Sequence, residues 1–159
     1  MCAARYIAGS GGFFLLALLS ASAWSAQLPN LSRPVDPAEI RQIYAGKTWA
    51  WKDRPTGIYF APSGALQAYE NAPDERVGTG RWRIDGKGRL CVDIRWQRVA
   101  GGGSRHRSCW SHRRVGSVIW KQHDARSEWY NVFGRSVEAG RISAGNRISP
   151  AIERALARR

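Results

Sequence analysis

Acidic residues are scarce in this chain of 159 residues: 12 Asp and Glu stand against 25 Lys and Arg, a formal net charge of +13. That imbalance bears on partners and solubility and is silent about fold. Histidine and cysteine are scarce too, at three copies each, and their spacing offers no metal-ligand set. There is no Gly-x-Ser-x-Gly elbow, Ser-x-x-Lys pair, P-loop, His-Glu-x-x-His or EF-hand loop. The apolar run Phe13–Leu19 is far too short to cross a bilayer. These absences leave an enzyme, a metalloprotein and a membrane-spanning protein without support, and no cofactor is expected. Eight tryptophans and 43% hydrophobic residues argue for a folded domain with a core.

The N-terminus reads as an export signal. Arg5 is the sole charge before FFLLALL, and the small-residue stretch SASAWSA follows. Small residues at the required places favour cleavage after Ala23; cleavage after Ser25 also fits. The expected organisation is a signal over residues 1–23, a linker over 24–34, a β domain over 35–133 and a basic, mobile tail over 134–159. A periplasmic or secreted location follows, with no transmembrane span once the signal is removed. Cys2 leaves with the signal, so Cys91 and Cys109 remain, and two cysteines in an oxidising compartment form one disulfide.

Strand register tests that pairing. Between the cysteines lies the turn sequence VAGGGS, and if Cys91 faces Cys109 then Asp93 faces Arg107 and Leu90 faces Trp110. On the other side, Gly86–Lys87–Gly88 reads as a three-residue hairpin loop with Gly88 left-handed. It places Ile84 opposite Leu90, Trp82 opposite Val92 and Arg81 opposite Asp93. The two loops agree. One face then holds Trp82, Ile84, Leu90, Val92, Ile94, Trp96 and Trp110, the expected core. The other holds Arg81, Arg83, Arg95, Arg105 and Arg107 around the disulfide, with Asp93 between two arginines. Alternation of this kind specifies a sheet with one packed and one wet side.

The remaining chain reads the same way. Asp36 is an N-cap, Pro37 lies in the first turn and Glu39 at the capping-box position of a helix that stops at Gly46. Strand candidates follow at Thr48–Trp51, Gly57–Ala61, Ala65–Glu70, Thr79–Asp85, Arg89–Gln97, Ser104–Arg113, Val118–Gln122 and Glu128–Phe133. Turns at Pro62–Gly64 and Val115–Ser117 separate two of the pairs. The fold class is mainly β: about eight antiparallel strands in a meander, as a barrel or a sandwich, with one N-terminal helix. Ser149-Pro150 offers a cap for a short helix in an otherwise flexible tail.

The order KTWAW, GIYFAPSGALQAY, GTGRWRIDGKGRLC, SCWSHRR and EWYNVF resembles a family of proteobacterial exported proteins known as domain of unknown function 995. The resemblance covers roughly residues 40–133. It implies the fold, export and the disulfide, and brings no catalytic residue. Gly80-Arg-Trp82 is also similar to the Gly-x-Trp signature of lipocalin-like barrels, although it lies mid-chain here.

His106 and His112 fall on the apolar side by parity, where a lone histidine is more often structural than catalytic. His123-Asp124 opens the turn HDARS. Glu70, Asp74 and Glu75 belong to ENAPDE, which reads as a solvated loop, and Glu128 beside Trp129 is no stronger as an acid. Charge is more informative. Residues 76–114 carry eleven Lys/Arg and two acids, whereas residues 36–75 are net negative. The arginine face is therefore the expected binding surface, for anionic envelope polymers, lipid head groups or an acidic protein. Nucleic acid is not expected, because the signal sends the chain away from it. The alternative is a barrel that holds a small apolar ligand among its tryptophans.

Overall fold

The computed structural model describes residues 28, 31–51, 55–71, 74–134 and 141–158. The segment read as an export signal and the cleavage region expected near Trp24 lie outside the described residues. Ten strands and two helices follow in the order β1 (Arg33–Pro34), α1 (Pro37–Tyr44), β2 (Lys47–Ala50), β3 (Gly57–Phe60), β4 (Ala65–Glu70), β5 (Arg76–Ile84), β6 (Leu90–Arg98), β7 (Gly103–Val115), β8 (Val118–His123), β9 (Tyr130–Asn131), β10 (Arg141–Ala144) and α2 (Ser149–Leu156). β2 to β9 form an antiparallel meander; β10 pairs with the free edge of β2, and β1 with β7. The single sheet curls into a half-barrel whose edges, β9 and β10, do not pair with each other. The sandwich alternative is thereby set aside.

The central register is the one the two loops imply. Ile84 faces Leu90, Trp82 faces Val92, Cys91 faces Cys109 and Leu90 faces Trp110. Gly88 adopts a φ of 70° in its turn. Cys91 and Cys109 form the disulfide, with an S–S distance of 2.05 Å. Gly80 explains how β5 can run so close to β6. A Cβ there would lie 1.9 Å from the Asp93 carbonyl oxygen, so only glycine fits the approach.

The inner face is the core. Trp82, Leu90, Val92, Ile94 and Trp96 are buried on it, and Ile84 and Trp110 are half-buried. Trp82 Nε1–H donates to the Ala61 carbonyl over 2.8 Å, which satisfies its polar atom. α1 closes one end of the half-barrel. Its Asp36 cap accepts from the Ala38 N–H at 2.7 Å, and Ile40, Ile43 and Tyr44 turn inward. Glu39 accepts a hydrogen bond from Arg114 on β7. Tyr44 meets Phe60 and His112 edge-on, with centroids 5.3 and 5.6 Å apart.

The C-terminal stretch corrects the expectation of a mobile tail, and the reason is apolar burial. Ile148, Ala151, Ile152 and Ala155 pack with Tyr69 and Val77, so α2 covers outward side chains of β4 and β5. β10 extends the sheet, and Thr48 Oγ1 donates to the Gly145 carbonyl at 2.7 Å. The residues read as a linker also contribute. Arg33 and Pro34 join the sheet edgewise on Arg114 and Arg113.

Candidate ligand-binding cleft

At the end opposite α1 the half-barrel opens into a cleft of about 510 Å³. Along β7 the inward side chains run from His106 and Ser108, which line the cleft, to His112 beneath α1. Trp49, Trp51, Trp96 and Trp110 contribute rings to the lining. Trp49 meets Trp51 at 5.8 Å and Trp110 at 5.1 Å, both edge-on. Trp110 in turn lies 5.2 Å from the His123 ring. The tryptophans therefore serve as core and lining together.

A polar seam crosses the wall made by β7 and β8. Ser108 Oγ lies 2.7 Å from His106 Nε2 and 3.1 Å from His123 Nε2. The Ala125 N–H donates to His123 Nδ1 at 3.1 Å, so in the neutral ring Nε2 carries the proton. His123 Nε2–H then donates to Ser108, and the Ser108 hydroxyl donates to His106 Nε2. Beside this chain, Lys121 is 1% exposed and its Nζ sits 3.6 Å above the Trp49 ring. Burial pushes the Lys121 ammonium down to about 7. Burial first, and the Lys121 charge second, pushes His112 down to about 3. His112 is thus a neutral partner of the Tyr44 hydroxyl, 3.0 Å away.

Charge at the cleft is mostly positive. Arg76 holds Glu70 at 2.5 Å while its guanidinium lies 4.6 Å over the Trp96 ring. Glu70 is therefore the last residue of a strand and an ion-pair partner, not part of a solvated loop. Glu75 accepts from Tyr69 and Arg158 at 2.5 Å each, which ties the residues just after α2 to the loop before β5. Among the described residues, Arg126 has no acidic partner and no group of three His, Cys, Asp or Glu could hold a metal ion.

The five arginines of the outer face, Arg81, Arg83, Arg95, Arg105 and Arg107, are all exposed. In the register Asp93 lies between Arg81 and Arg107, as the two loops imply, and its carboxylate bonds Arg105 and Arg107 at 2.9 Å each. The diagonal neighbour Arg105 reaches it with two parallel bonds. Hydrogen bonds from Arg105 and then Arg107 hold the Asp93 carboxyl well below the usual carboxylate range. Two of the five charges are thereby engaged. Arg81, Arg83 and Arg95 have no acidic partner among the described residues. Beside them, a second, open groove of about 760 Å³ runs under the β6–β7 hairpin tip, lined in part by Arg95, Arg98, Arg105 and Arg158. Most of those guanidinium groups are already ion-paired.

In the sequence His106 reads as a structural histidine and His123 as part of a turn, and nothing assigns a role to Ser108 or Lys121. In VIWKQH the alternation allows either Trp120 or Lys121 to face inward, and hydrophobicity favours Trp120. The cross-strand pair His112–Lys121, set by the two-residue turn between Val115 and Val118, places Lys121 inside.

A family model described as a protein of unknown function (DUF995) matches residues 13–146. No curated protein and no solved structure matches the chain.

Proposed function

The chain belongs to the DUF995 family, and from that premise we propose that it is an exported, non-enzymatic binding protein whose ligand seat is the tryptophan-lined cleft. Export is supported by the charge-poor apolar N-terminus and by the disulfide, which persists in oxidising compartments. Among the described residues no helix is long and apolar enough to cross a membrane. The observation that carries the reading is the cleft itself. Its volume of about 510 Å³ suits a small organic molecule, and apolar rings with a few convergent polar groups are the usual lining of such sites.

The test uses the mature, disulfide-bonded chain and the uncharged fluorophore N-phenyl-1-naphthylamine. Saturable binding with energy transfer from tryptophan is expected, weakened in Trp110→Leu. No saturable binding, or binding untouched by Trp110→Leu and Trp51→Ala together, defeats the reading.

A second reading, contact of the outer arginine face with anionic envelope polymers, lipid head groups or an acidic protein, is favoured by exposed Arg81, Arg83 and Arg95. Exposed charges are screened beyond about 8 Å at physiological salt, so such binding should fall steeply as salt rises. Arg83→Glu with Arg107→Glu should abolish it. Arg141→Glu with Arg147→Glu makes the same change in net charge away from the face and should spare it. Equal losses reduce the surface to non-specific electrostatics.

A further inference from the structure

The cleft combines two features that a purely apolar ligand does not explain. Its rings present flat apolar surface, while its polar wall presents hydrogen-bond donors and positive charge. The hydrogen-bond chain is directional. Because the Ala125 N–H occupies His123 Nδ1, the protons run from His123 to Ser108 to His106. With its Nε2 accepting from Ser108, the His106 ring carries a proton on Nδ1, an N–H donor on an exposed residue of the lining. A chain that offers a donor at its outer end suits an acceptor, and an anion is the strongest acceptor.

Charge points the same way. Among the described residues the lining holds Arg76, Arg105 and Arg126, the buried Lys121 and the carboxylate of Glu70. Glu70 is matched by Arg76, and Arg105 by Asp93 on the outer face. Arg126 at the rim has no acidic partner among the described residues and keeps the mouth of the cleft electropositive. Low-dielectric walls, here of tryptophan, strengthen such a field.

Resting on the reading of the cleft as a ligand seat, we infer that its ligand is an organic anion. It has a flat aromatic or apolar body and one carboxylate, sulfonate or phosphate group. The body lies against the tryptophans and the charged group faces His106 and Arg126.

Two probes share one ring system and separate the claims: 1-anilinonaphthalene-8-sulfonate is anionic, and N-phenyl-1-naphthylamine is not. The sulfonate should bind the mature chain about tenfold more tightly than the amine, since a charge-assisted contact is worth that order. Arg126→Gln should weaken the sulfonate severalfold and Arg126→Glu more, both leaving the amine unchanged. Arg83→Gln, which removes one charge from the outer face, should alter neither. Equal affinity for the two probes, or equal effects of the cleft variants on both, overturns the anion assignment while the cleft stands as an apolar seat. Binding of neither probe removes the seat and the assignment together.

Discussion

Lys121→Met removes one ammonium from a site that is 1% exposed and replaces it with an apolar chain of similar length. Burial pushes that ammonium from 10.5 to about 7, a difference equivalent to roughly 5 kcal/mol between its charged and neutral forms. That difference is net of the contacts the charged form makes, the Trp49 ring 3.6 Å from Nζ among them. It is the cost of holding the charge inside. The direction with pH follows from proton counting. The unfolded chain keeps its Lys121 proton up to about 10.5, whereas the folded chain releases it near 7. Between those values the unfolded state binds more protons, so the stability of the native protein rises with pH across that window. Below about 7 the cost is present in full. His112, pushed down to about 3, stays neutral throughout. Lys121→Met is therefore expected to stabilise the fold by up to about 5 kcal/mol at pH ~6, with the gain shrinking toward pH ~10. Urea unfolding with the disulfide intact, at three pH values across the window, measures both. A variant less stable than the native chain in mild acid would refute the reasoning. It would mean that bonds made by the buried ammonium outweigh its desolvation.

Four further outcomes follow from the same physical picture. Trp82→Ala should cost about 3–5 kcal/mol, as emptying a buried aromatic site does, whereas exposed Arg83→Ala should stay within about 0.5 kcal/mol; comparable losses in urea unfolding would contradict the face assignment. Ile152→Ala, which opens a hole between α2 and the sheet, should cost about 2–4 kcal/mol, and an unchanged unfolding midpoint would mean the tail contributes nothing to the fold. Intact-mass analysis of exported protein should find a chain beginning near Trp24 that takes up alkylating reagent only after reduction. Reduction should lower stability by about 3 kcal/mol for the loop that Cys91 and Cys109 close.

Much of the central sheet was legible in the residues alone. Ile84–Leu90, Trp82–Val92 and Cys91–Cys109 are cross-strand pairs because side chains alternate with period two and two tight loops fix the offset. The start of α1 was equally local, since Asp36 caps its own next turn. What lay beyond local chemistry was which surfaces would meet. Residues 141–158 carry four arginines, a composition that reads as solvated tail, yet a few apolar side chains found an uncovered patch on β4 and β5.

The cleft shows the same division. Alternation alone distributed the arginines outward and most tryptophans inward, and it put His106 on the inner face. It left β8 ambiguous, because Trp120 and Lys121 compete for the interior and transfer energies favour the tryptophan. Only the hairpin register and the curl of the whole sheet turned Lys121 onto the Trp49 ring and brought His123 within reach of Ser108. Period and turn geometry act over a few residues, so a single sequence states them. The cleft arises from strands up to about eighty residues apart folding around one axis, and its contacts exist only once that curvature does.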